Sequence, residues 1–351
     1  MKRRYSIALI PGDGIGNEVI PEGVRVLQSL AHRHGFSLEL TEYPFGTDYY
    51  LAHGVMIPEE GFEALKNHDA IYLGAVGDPR KAPDHVTLRG LLIPLRQRFD
   101  LYVNLRPARA LKGVPTPLKG DPAFDFEVVR ENAEGEYAGA GGVLADEVAV
   151  QTAIFTRRGT ERIARYALER ARMRRGDLVV ATKSNALQHG LVFWDRVIRE
   201  VARDYPEVRL RFMHADALAA AMVKDPRAFD VILATNLLGD LLTDLAGALQ
   251  GSLGIPASAN LNPERRYPSM FEPVHGSAPD IAGKGIANPI AALWAGAMML
   301  EFLGEVEAAR ELFQAIEAVT AEGRVKTPDL GGTATTREVT EAVLSKLGVS
   351  A

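Results

Sequence analysis

The chain has no cysteine among its 351 residues. Disulfide bonds, thiolate metal sites and cysteine nucleophiles are therefore excluded, and a reducing compartment is favoured. Positive charge is not in excess either, because the formal net charge is −5. A chain with this balance has no basic field that would attract nucleic acid or an anionic membrane surface, so we expect neither as a partner.

Long apolar runs are missing as well. No window approaches the roughly 20 apolar residues that a membrane-spanning helix needs. The basic residues 2–4 precede an apolar run that stops at Pro11, which is too short for a signal peptide. We therefore expect a cytoplasmic protein, long enough for one large domain or two ordinary ones.

Short apolar strands alternate with helices along the chain. Strands are predicted at Tyr5–Ile10, Phe36–Tyr43, Ala70–Ala75, Phe124–Arg130, Leu178–Ala181 and Arg209–His214, and helices at residues 17–34, 58–67, 159–172, 191–204, 291–303 and 305–321. This alternation predicts an α/β fold with a largely parallel sheet. A glycine-rich turn and an alternating run predict a projecting β-arm at about residues 138–156.

A glycine-rich turn follows the first predicted strand, with glycines at 12, 14 and 16. The dinucleotide fingerprint of the Rossmann fold is G-x-G-x-x-G, and here the third glycine comes one residue early. We therefore predict that the fold is not a Rossmann fold. The turn either joins strand to helix or also lines a ligand cleft.

Two aspartates lie at the start of a predicted helix that follows the apolar run 229–234. Asp240 and Asp244 are four residues apart, so their carboxylates share one helix face. Such a pair is either a solvated face or the oxygen ligands of a divalent cation. Its position directly after a strand favours a ligand site, because open α/β sheets bind ligands there. Asp216, which follows another strand, is the natural third carboxylate.

Three arginines lie in elements that could converge, namely Arg96, Arg106 and Arg130. Arg130 ends an apolar strand, where a guanidinium is costly to bury without an anionic partner. Each could pair locally, Arg130 with Glu131 or Glu134, or reach solvent. Together they instead suggest bidentate capture of a substrate carboxylate.

Tyr137 lies just beyond Arg130, and Lys183 follows the strand that ends at Ala181. Either residue could be structural. A tyrosine and a lysine at strand exits, near arginines and a metal site, also form a plausible acid/base pair.

Residues 271–289 form the most distinctive sequence segment of the chain. It is dense in small residues that let a ligand approach the backbone, and it contains one fixed acid, Asp280. Long loops in compact domains are functional or disordered, and this one is too rich in Ile, Val and Phe to be disordered. We therefore predict a binding loop.

These residues resemble the β-decarboxylating dehydrogenases, the isocitrate/isopropylmalate dehydrogenase family. The motifs that carry the resemblance are Pro-Gly-Asp-Gly-Ile-Gly at 11–16, Asn-Leu-Arg-Pro at 104–107, Val-Val-Arg-Glu-Asn-x-Glu-Gly-x-Tyr at 128–137, Thr-Lys-Ser-Asn at 182–185, Gly-Asp-x-Leu-x-Asp at 239–244 and Glu-Pro-Val-His-Gly-Ser-Ala-Pro-Asp-Ile at 272–281. They cover almost the whole chain. Residues 83–88 and 258–265 look most like the D-malate (decarboxylating)/tartrate branch.

The resemblance implies a role for each candidate residue. Asp240 and Asp244 would hold Mn²⁺ or Mg²⁺ together with Asp216 of the partner subunit, and K⁺ is a further candidate cofactor. Asp216 would also face the substrate, whose carboxylates Arg96, Arg106 and Arg130 would clamp. Lys183 of the partner subunit would act as base and Tyr137 as acid.

The binding loop would hold NAD. The residues implied to contact it are His275, Gly276, Ser277, Ala278, Pro279, Asp280, Ile281 and Asn288. Asp280 would accept a hydrogen bond from the adenosine ribose. NADP-dependent relatives carry a lysine where Asp280 stands, so the resemblance implies that a 2′-phosphate is repelled here.

The implied fold is α/β and isopropylmalate dehydrogenase-like, with two domains around a mixed sheet and a β-arm at a dimer interface. A discontinuous NAD-binding domain would comprise residues 1–101 and 254–351. Residues 102–253 would form the substrate, metal and dimerisation domain. The resemblance also implies a homodimer with shared active sites.

The implied activity is NAD- and metal-dependent oxidative decarboxylation of a D-malate-like 2-hydroxy acid, from D-malate to pyruvate and CO₂, with tartrate as another substrate. The alternatives are a 3-isopropylmalate dehydrogenase and a non-catalytic metal- or nucleotide-binding module. One residue departs from the pattern, because the D-malate/tartrate branch usually has tryptophan where this chain has Arg89. The arginine could favour a further substrate carboxylate or face solvent.

Overall fold

A computed structural model of the chain describes residues 3–120 and 123–348. Its strands are β1 (Arg3–Gly12), β2 (Phe36–Glu42), β3 (Ala70–Ala75), β4 (Val103–Arg109), β5 (Asp125–Glu131), β6 (Gly141–Leu144), β7 (Val148–Gln151), β8 (Asp177–Thr182), β9 (Arg209–His214), β10 (Val231–Ala234), β11 (Ala257–Leu261) and β12 (Ser269–Pro273). Strands and helices alternate along most of the chain, as predicted.

The helices are α1 (Gly16–His34), α2 (Thr47–His53), α3 (Glu59–Leu65), α4 (Asp84–Thr87), α5 (Ile93–Arg98), α6 (Arg157–Met173), α7 (Gly190–Ala202), α8 (Ala215–Lys224), α9 (Asn236–Leu249), α10 (Ile290–Leu303), α11 (Val306–Glu322) and α12 (Thr336–Lys346). A π-helical turn, Leu88–Leu92, joins α4 to α5, and short 3₁₀ turns lie at Glu136–Ala138, Pro226–Ala228 and Pro328–Leu330. Among the described residues, no helix is both long and apolar enough to cross a membrane.

The chain divides into two compact units. The first comprises residues 1–99, 111–116 and 250–351, and the second residues 100–110 and 117–249. Residues 111–116 therefore belong to the first unit rather than to the predicted middle domain. Residues 111–116 pack closely against other residues of the first unit. A Cβ built on Gly113 would lie 2.0 Å from the carbonyl oxygen of Thr320, and a Cβ built on Gly251 would lie 1.9 Å from the carbonyl oxygen of Pro115.

In the first unit the strand order is β2-β1-β3-β12-β11. All neighbours are parallel except β11 and β12. Helix α10 is apolar on all sides and almost completely buried, as expected for a central helix. Residues 271–273, predicted to lie in a loop, are strand residues, because Phe271 pairs with Ala259 on one side and with Tyr72 on the other.

In the second unit the strand order is β4-β5-β10-β8-β9. Strand β4 is antiparallel to β5, and the other pairs are parallel. The carboxyl ends of β5, β10, β8 and β9 therefore meet at one edge of this sheet. Parallel strands are buried on both faces, which explains the continuous apolar residues 178–181 in β8 and 231–234 in β10.

The predicted arm is a separate two-stranded antiparallel ribbon, β6 paired with β7. Its apolar side chains are exposed, with Val143 at 69 % and Leu144 at 71 % of full accessibility. A ribbon of two strands is at best marginally stable when its apolar side chains face water.

Candidate active site

Arg130 occupies the end of β5 and is only 2 % exposed. Its Nε and Nη2 donate to Asn236 Oδ1 at 3.0 and 2.8 Å, and its Nη1 donates to Asp240. The local alternatives, pairing with Glu131 or Glu134 or reaching solvent, are therefore wrong. The guanidinium is instead fixed against the first turn of α9, which follows the neighbouring strand β10.

Gly239 is required for this arrangement. A Cβ at that position would lie 2.6 Å from Cγ of Arg130. The glycine before Asp240 therefore lets the arginine stem pass directly over the helix, which accounts for its place in the motif.

Asp240 and Asp244 lie one turn apart on α9, as predicted. The side chain of Asp240 is 37 % exposed and that of Asp244 is 71 % exposed. Partial desolvation raises the pKa of Asp244, and Arg106 opposes this effect. The shift has little energetic weight because the side chain remains mostly exposed. Two accessible carboxylates on one face are the hard oxygen donors that Mg²⁺ or Mn²⁺ binds.

Tyr137 and Arg106 border the same pair. The Tyr137 hydroxyl donates to Asp240 Oδ2 at 3.2 Å, and its ring lies 5.6 Å from the Arg130 guanidinium carbon. Arg106 Nη1 donates to Thr243 Oγ1 at 2.7 Å and lies 3.6 Å from Asp244 Oδ1. The structure thus brings together five of the predicted residues in one unit: Arg106, Arg130, Tyr137, Asp240 and Asp244.

Lys183 and Asp216 form a second group at the ends of β8 and β9. Lys183 Nζ lies 2.8 Å from Asp216 Oδ1, and this hydrogen bond lowers the pKa of Asp216. In the described part of the chain, no three acidic or histidine side chains converge as a metal-binding group.

Arg96 lies in the first unit, in α5. Its Nη2 is 3.6 Å from Oε1 of Glu272, and both side chains are largely buried. Its Nε is buried and has no hydrogen-bond partner among the described residues. Glu272 was not predicted as its partner. The role of Arg96 toward a substrate carboxylate stays a prediction.

The predicted binding loop is held at several points by the rest of the first unit. Ile15 N donates to the carbonyl of Ser277 at 2.9 Å, and a Cβ on Gly14 would lie 2.0 Å from that oxygen. The early glycine turn therefore packs directly on the loop. Further along, Glu18 accepts from Gly283 N at 2.6 Å, and Thr336 Oγ1 donates to Ala287 O at 2.6 Å.

His275 is the clearest sign that this loop fits a ligand. Burial lowers its pKa, so the imidazole is neutral at pH 7. Its Nδ1 lies 2.9 Å from Gly276 O, which assigns the proton to Nδ1, and Nε2 is buried with no partner among the described residues. A buried acceptor left in this state is expected to receive a hydrogen bond from a bound group.

The backbone nearby is open. No described atom lies within 4 Å of a Cβ built on Gly276, Gly283 or Gly285. Ala278 adopts φ of 40°, a left-handed conformation that is uncommon for a residue other than glycine. Space for a ligand and a strained residue both fit the predicted nucleotide site.

The two polar side chains Asp280 and Asn288 of the predicted nucleotide site differ in exposure. Asp280 is exposed. Asn288 is buried, and its amide is engaged by the protein, since Nδ2 donates to Asp329 Oδ2 and Oδ1 accepts from Ile290 N, each at 3.0 Å. Contacts of Asn288 with a cofactor therefore stay a prediction, and its observed role is to fix the start of α10.

Sequence reasoning missed several residues that support these groups. Asn236, which accepts two hydrogen bonds from Arg130, and Asp329, which accepts one from Asn288, are examples. Asn236 had a signal, because it opens the same acidic motif. Asp329 had none, because it lies 41 positions from its partner.

Comparison with known proteins agrees with this geometry. The isocitrate/isopropylmalate dehydrogenase profile matches residues 6–343. The chain therefore belongs to the isocitrate/isopropylmalate dehydrogenase family and is an oxidoreductase of that family. This confirms the predicted family and class of enzyme.

Two curated relatives and one solved structure are similar over nearly their whole lengths. The probable tartrate dehydrogenase/decarboxylase of Bacillus subtilis (strain 168) is 49 % identical over 349 residues, 98 % of either chain. The D-malate dehydrogenase (decarboxylating) of Escherichia coli (strain K12) is 52 % identical over 356 residues, also 98 % of either chain. The isocitrate dehydrogenase of Methylococcus capsulatus superposes with a TM-score of 0.89 at 36 % identity, covering 98 % of this chain and 99 % of that one. The predicted α/β, isopropylmalate dehydrogenase-like fold is confirmed, whereas the place of the β-arm at a dimer interface stays a prediction.

Proposed function

We propose that the protein catalyses NAD- and divalent-metal-dependent oxidative decarboxylation of D-malate to pyruvate and CO₂, with tartrate as a second substrate. The observation that carries this proposal is the group Arg106, Arg130, Tyr137, Asp240 and Asp244. It combines cations for carboxylates, oxygen donors for a metal and a phenol on one surface. The names of the curated relatives favour D-malate and tartrate over 3-isopropylmalate.

NAD bound at the loop 275–288 would supply the acceptor for the hydride of C2, and Mg²⁺ or Mn²⁺ held by Asp240 and Asp244 would supply Lewis-acid stabilisation of negative charge. Arg130 and Arg106 hold substrate carboxylates through their guanidinium forks. Lys183 of the partner subunit takes the proton of the C2 hydroxyl. Tyr137 then donates its phenolic proton to C3 after decarboxylation. Whether K⁺ is also required stays a prediction, which the assay described below tests.

The nucleotide is assigned to the loop 275–288 of the first unit. His275 Nε2 would accept a hydrogen bond from the nucleotide, and Asp280 would accept one from the adenosine ribose. A carboxylate at this position disfavours a 2′-phosphate by like-charge repulsion, so NAD is preferred to NADP.

The assay that tests this function measures NADH formation at 340 nm with D-malate, L-tartrate, 3-isopropylmalate and isocitrate, with and without chelator and K⁺. We expect turnover of D-malate and tartrate that stops with chelator. Activity on 3-isopropylmalate alone would reassign the substrate. No turnover on any acid would favour the binding-module alternative, and turnover that resists chelator would contradict the metal assignment.

We also propose a homodimer with shared active sites. The third metal ligand would be Asp216 of the partner subunit, in keeping with the observation that among the described residues no three acidic or histidine side chains converge. The apolar arm, β6 and β7, would be covered by the second subunit.

Subunit complementation tests the shared site. Lys183→Met and Asp244→Asn should each be inactive as pure dimers. After the two are mixed, unfolded and refolded together, half the dimers are mixed and each has one intact site, so about a quarter of the wild-type rate should return. No recovery would place Lys183 and Asp244 in a site of one chain.

A further inference from the structure

Arg80 lies in the loop after β3 and is held in one orientation by Asp78. Its Nε and Nη2 donate to the two carboxylate oxygens of Asp78 at 2.9 and 2.8 Å, and its backbone N–H donates to the same carboxylate at 3.1 Å. The Asp78 side chain is 9 % exposed, whereas that of Arg80 is 63 % exposed. Asp78 thus fixes one side of the guanidinium, while the Arg80 side chain as a whole remains exposed to solvent.

The remaining end of this guanidinium faces the predicted nucleotide loop. Arg80 Nη1 donates to the carbonyl oxygen of Pro279 at 3.3 Å. The next residue is Asp280. Hydrogen bonding from Arg80 lowers the pKa of Asp78 to about 2, and the pKa of Arg80 is raised chiefly by Asp78, with a smaller contribution from the charge of Asp280.

Each terminal nitrogen of a guanidinium carries a second N–H, and such a pair of N–H groups can bind phosphate in bidentate fashion, which a lysine cannot do. Beside Asp280, however, the Arg80 guanidinium is partly neutralised by an exposed carboxylate that repels a phosphate. We infer that Arg80 is a specificity-determining residue of the proposed nucleotide site, beside the adenosine ribose. It can contact a 2′-phosphate, but the negative charge of Asp280 prevents that contact. This inference rests on the proposed nucleotide site.

The inference predicts that removal of Asp280 alone opens the site to a 2′-phosphate. The test uses Asp280→Ser, Arg80→Gln and the double variant, with binding of 2′,5′-ADP and of 5′-ADP measured by calorimetry. Asp280→Ser should bind 2′,5′-ADP about 10- to 100-fold more tightly than the wild type does. Adding Arg80→Gln should remove most of that gain and leave 5′-ADP binding within a few-fold.

Arg310→Gln provides a matched control, because Arg310 is an exposed arginine of the same unit that pairs with Glu307, three residues earlier in α11. In the Asp280→Ser background it should leave 2′,5′-ADP binding unchanged. Arg80→Lys should keep only part of the gain. Thermal unfolding of every variant shows whether a loss reflects misfolding.

Two results would overturn the role of Arg80. One is a double variant that binds 2′,5′-ADP as tightly as Asp280→Ser. The other is an equal loss of 5′-ADP and 2′,5′-ADP binding on Arg80→Gln, which indicates a structural role through Asp78. Failure of the wild type to bind 5′-ADP at all would instead remove the proposed nucleotide site, and the inference with it.

Discussion

Arginines and carboxylates meet at both edges of the parallel strands in the second unit, but their exposure differs. Where the strands begin, Glu127, Asp177 and Asp230 are 6 %, 8 % and 1 % exposed. Where they end, the side chains of Asp216 and Asp244 are 69 % and 71 % exposed. We call these the amino edge and the carboxyl edge.

At the amino edge the buried carboxylates are surrounded by guanidinium groups. Arg174 alone reaches Asp125 and Asp230 at 2.9 Å and Glu127 at 3.3 Å. Arg170 also binds Glu127, and Arg209 binds Asp177 at 2.9 Å. Buried charges are tolerated only when they are paired and hydrogen-bonded, so this edge is a structural network.

At the carboxyl edge the carboxylates of Asp216 and Asp244 remain accessible to solvent. Asp244 has Arg106 at 3.6 Å, and Asp216 has Lys183 at 2.8 Å. Exposed oxygens can exchange water for a metal ion at little cost, whereas those of the amino edge would first have to break several charge-assisted bonds. The comparison teaches that accessibility of the carboxylates, rather than the number of charges, separates a binding edge from a structural one.

The largest expected effect is on activity at the carboxyl edge. Asp244→Asn removes a metal oxygen, which is worth several kcal/mol of charge stabilisation, so kcat/KM should fall by about a thousandfold. Stability should change by less than about 0.5 kcal/mol because the side chain is exposed. Steady-state kinetics and urea unfolding measure the two effects. Near-wild-type turnover would remove Asp244 from the site.

The opposite pattern is expected at the amino edge. Asp230→Ala removes the buried carboxylate that accepts hydrogen bonds from Arg174 Nε and from the Arg175 backbone N–H, so the free energy of unfolding should fall by about 3 kcal/mol. Activity per folded molecule at low temperature should not change. Asp225→Asn, which breaks the exposed pair of Asp225 with Arg227, is the matched control and should have almost no effect. Equal loss from both variants would contradict the contrast.

Glu131, at the end of β5, combines burial with the carboxyl edge. Burial raises its pKa to about 7, although it accepts backbone hydrogen bonds from Ala133 and Glu134. The folded state then binds a proton that the unfolded state releases above pH 4.5, so stability should fall as pH rises from about 5 to 8, by up to about 3 kcal/mol. Unfolding of Glu131→Gln should lack this slope. A slope that persists in the variant would assign it to another group.

The smallest effect concerns the fit of Arg130 over α9. Gly239→Ala places a methyl group 2.6 Å from Arg130 Cγ, so the arginine must shift. Overpacking should lower stability by about 1 to 2 kcal/mol. Because the guanidinium moves, KM for the hydroxy acid should rise more than kcat falls. An unchanged KM would show that Arg130 does not contact the substrate.

The prediction from sequence succeeded where information is local. The spacing of Asp240 and Asp244 set their shared face, and the predicted end of the first helix at residue 34 is the end of α1, where Gly35 follows in a left-handed conformation with φ of 74°. Prediction failed where partners are distant in sequence. The pairing of Arg130 with Asn236 spans 106 positions, and the nearby Glu131 and Glu134 offered a closer but wrong partner.

By itself the sequence determined the class of fold, the family and the residue types of the site. Hydrophobic periodicity, turn glycines and the order of motifs depend only on which residues follow one another along the chain. Only the tertiary structure decided which charged groups serve stability and which stay accessible. Aspartates at both edges look alike in sequence, and their different desolvation arises only when strands from separate parts of the chain align. Among the described residues Asp216 does not converge with Asp240 and Asp244 into a metal-binding group, and this supports the proposal of a second subunit.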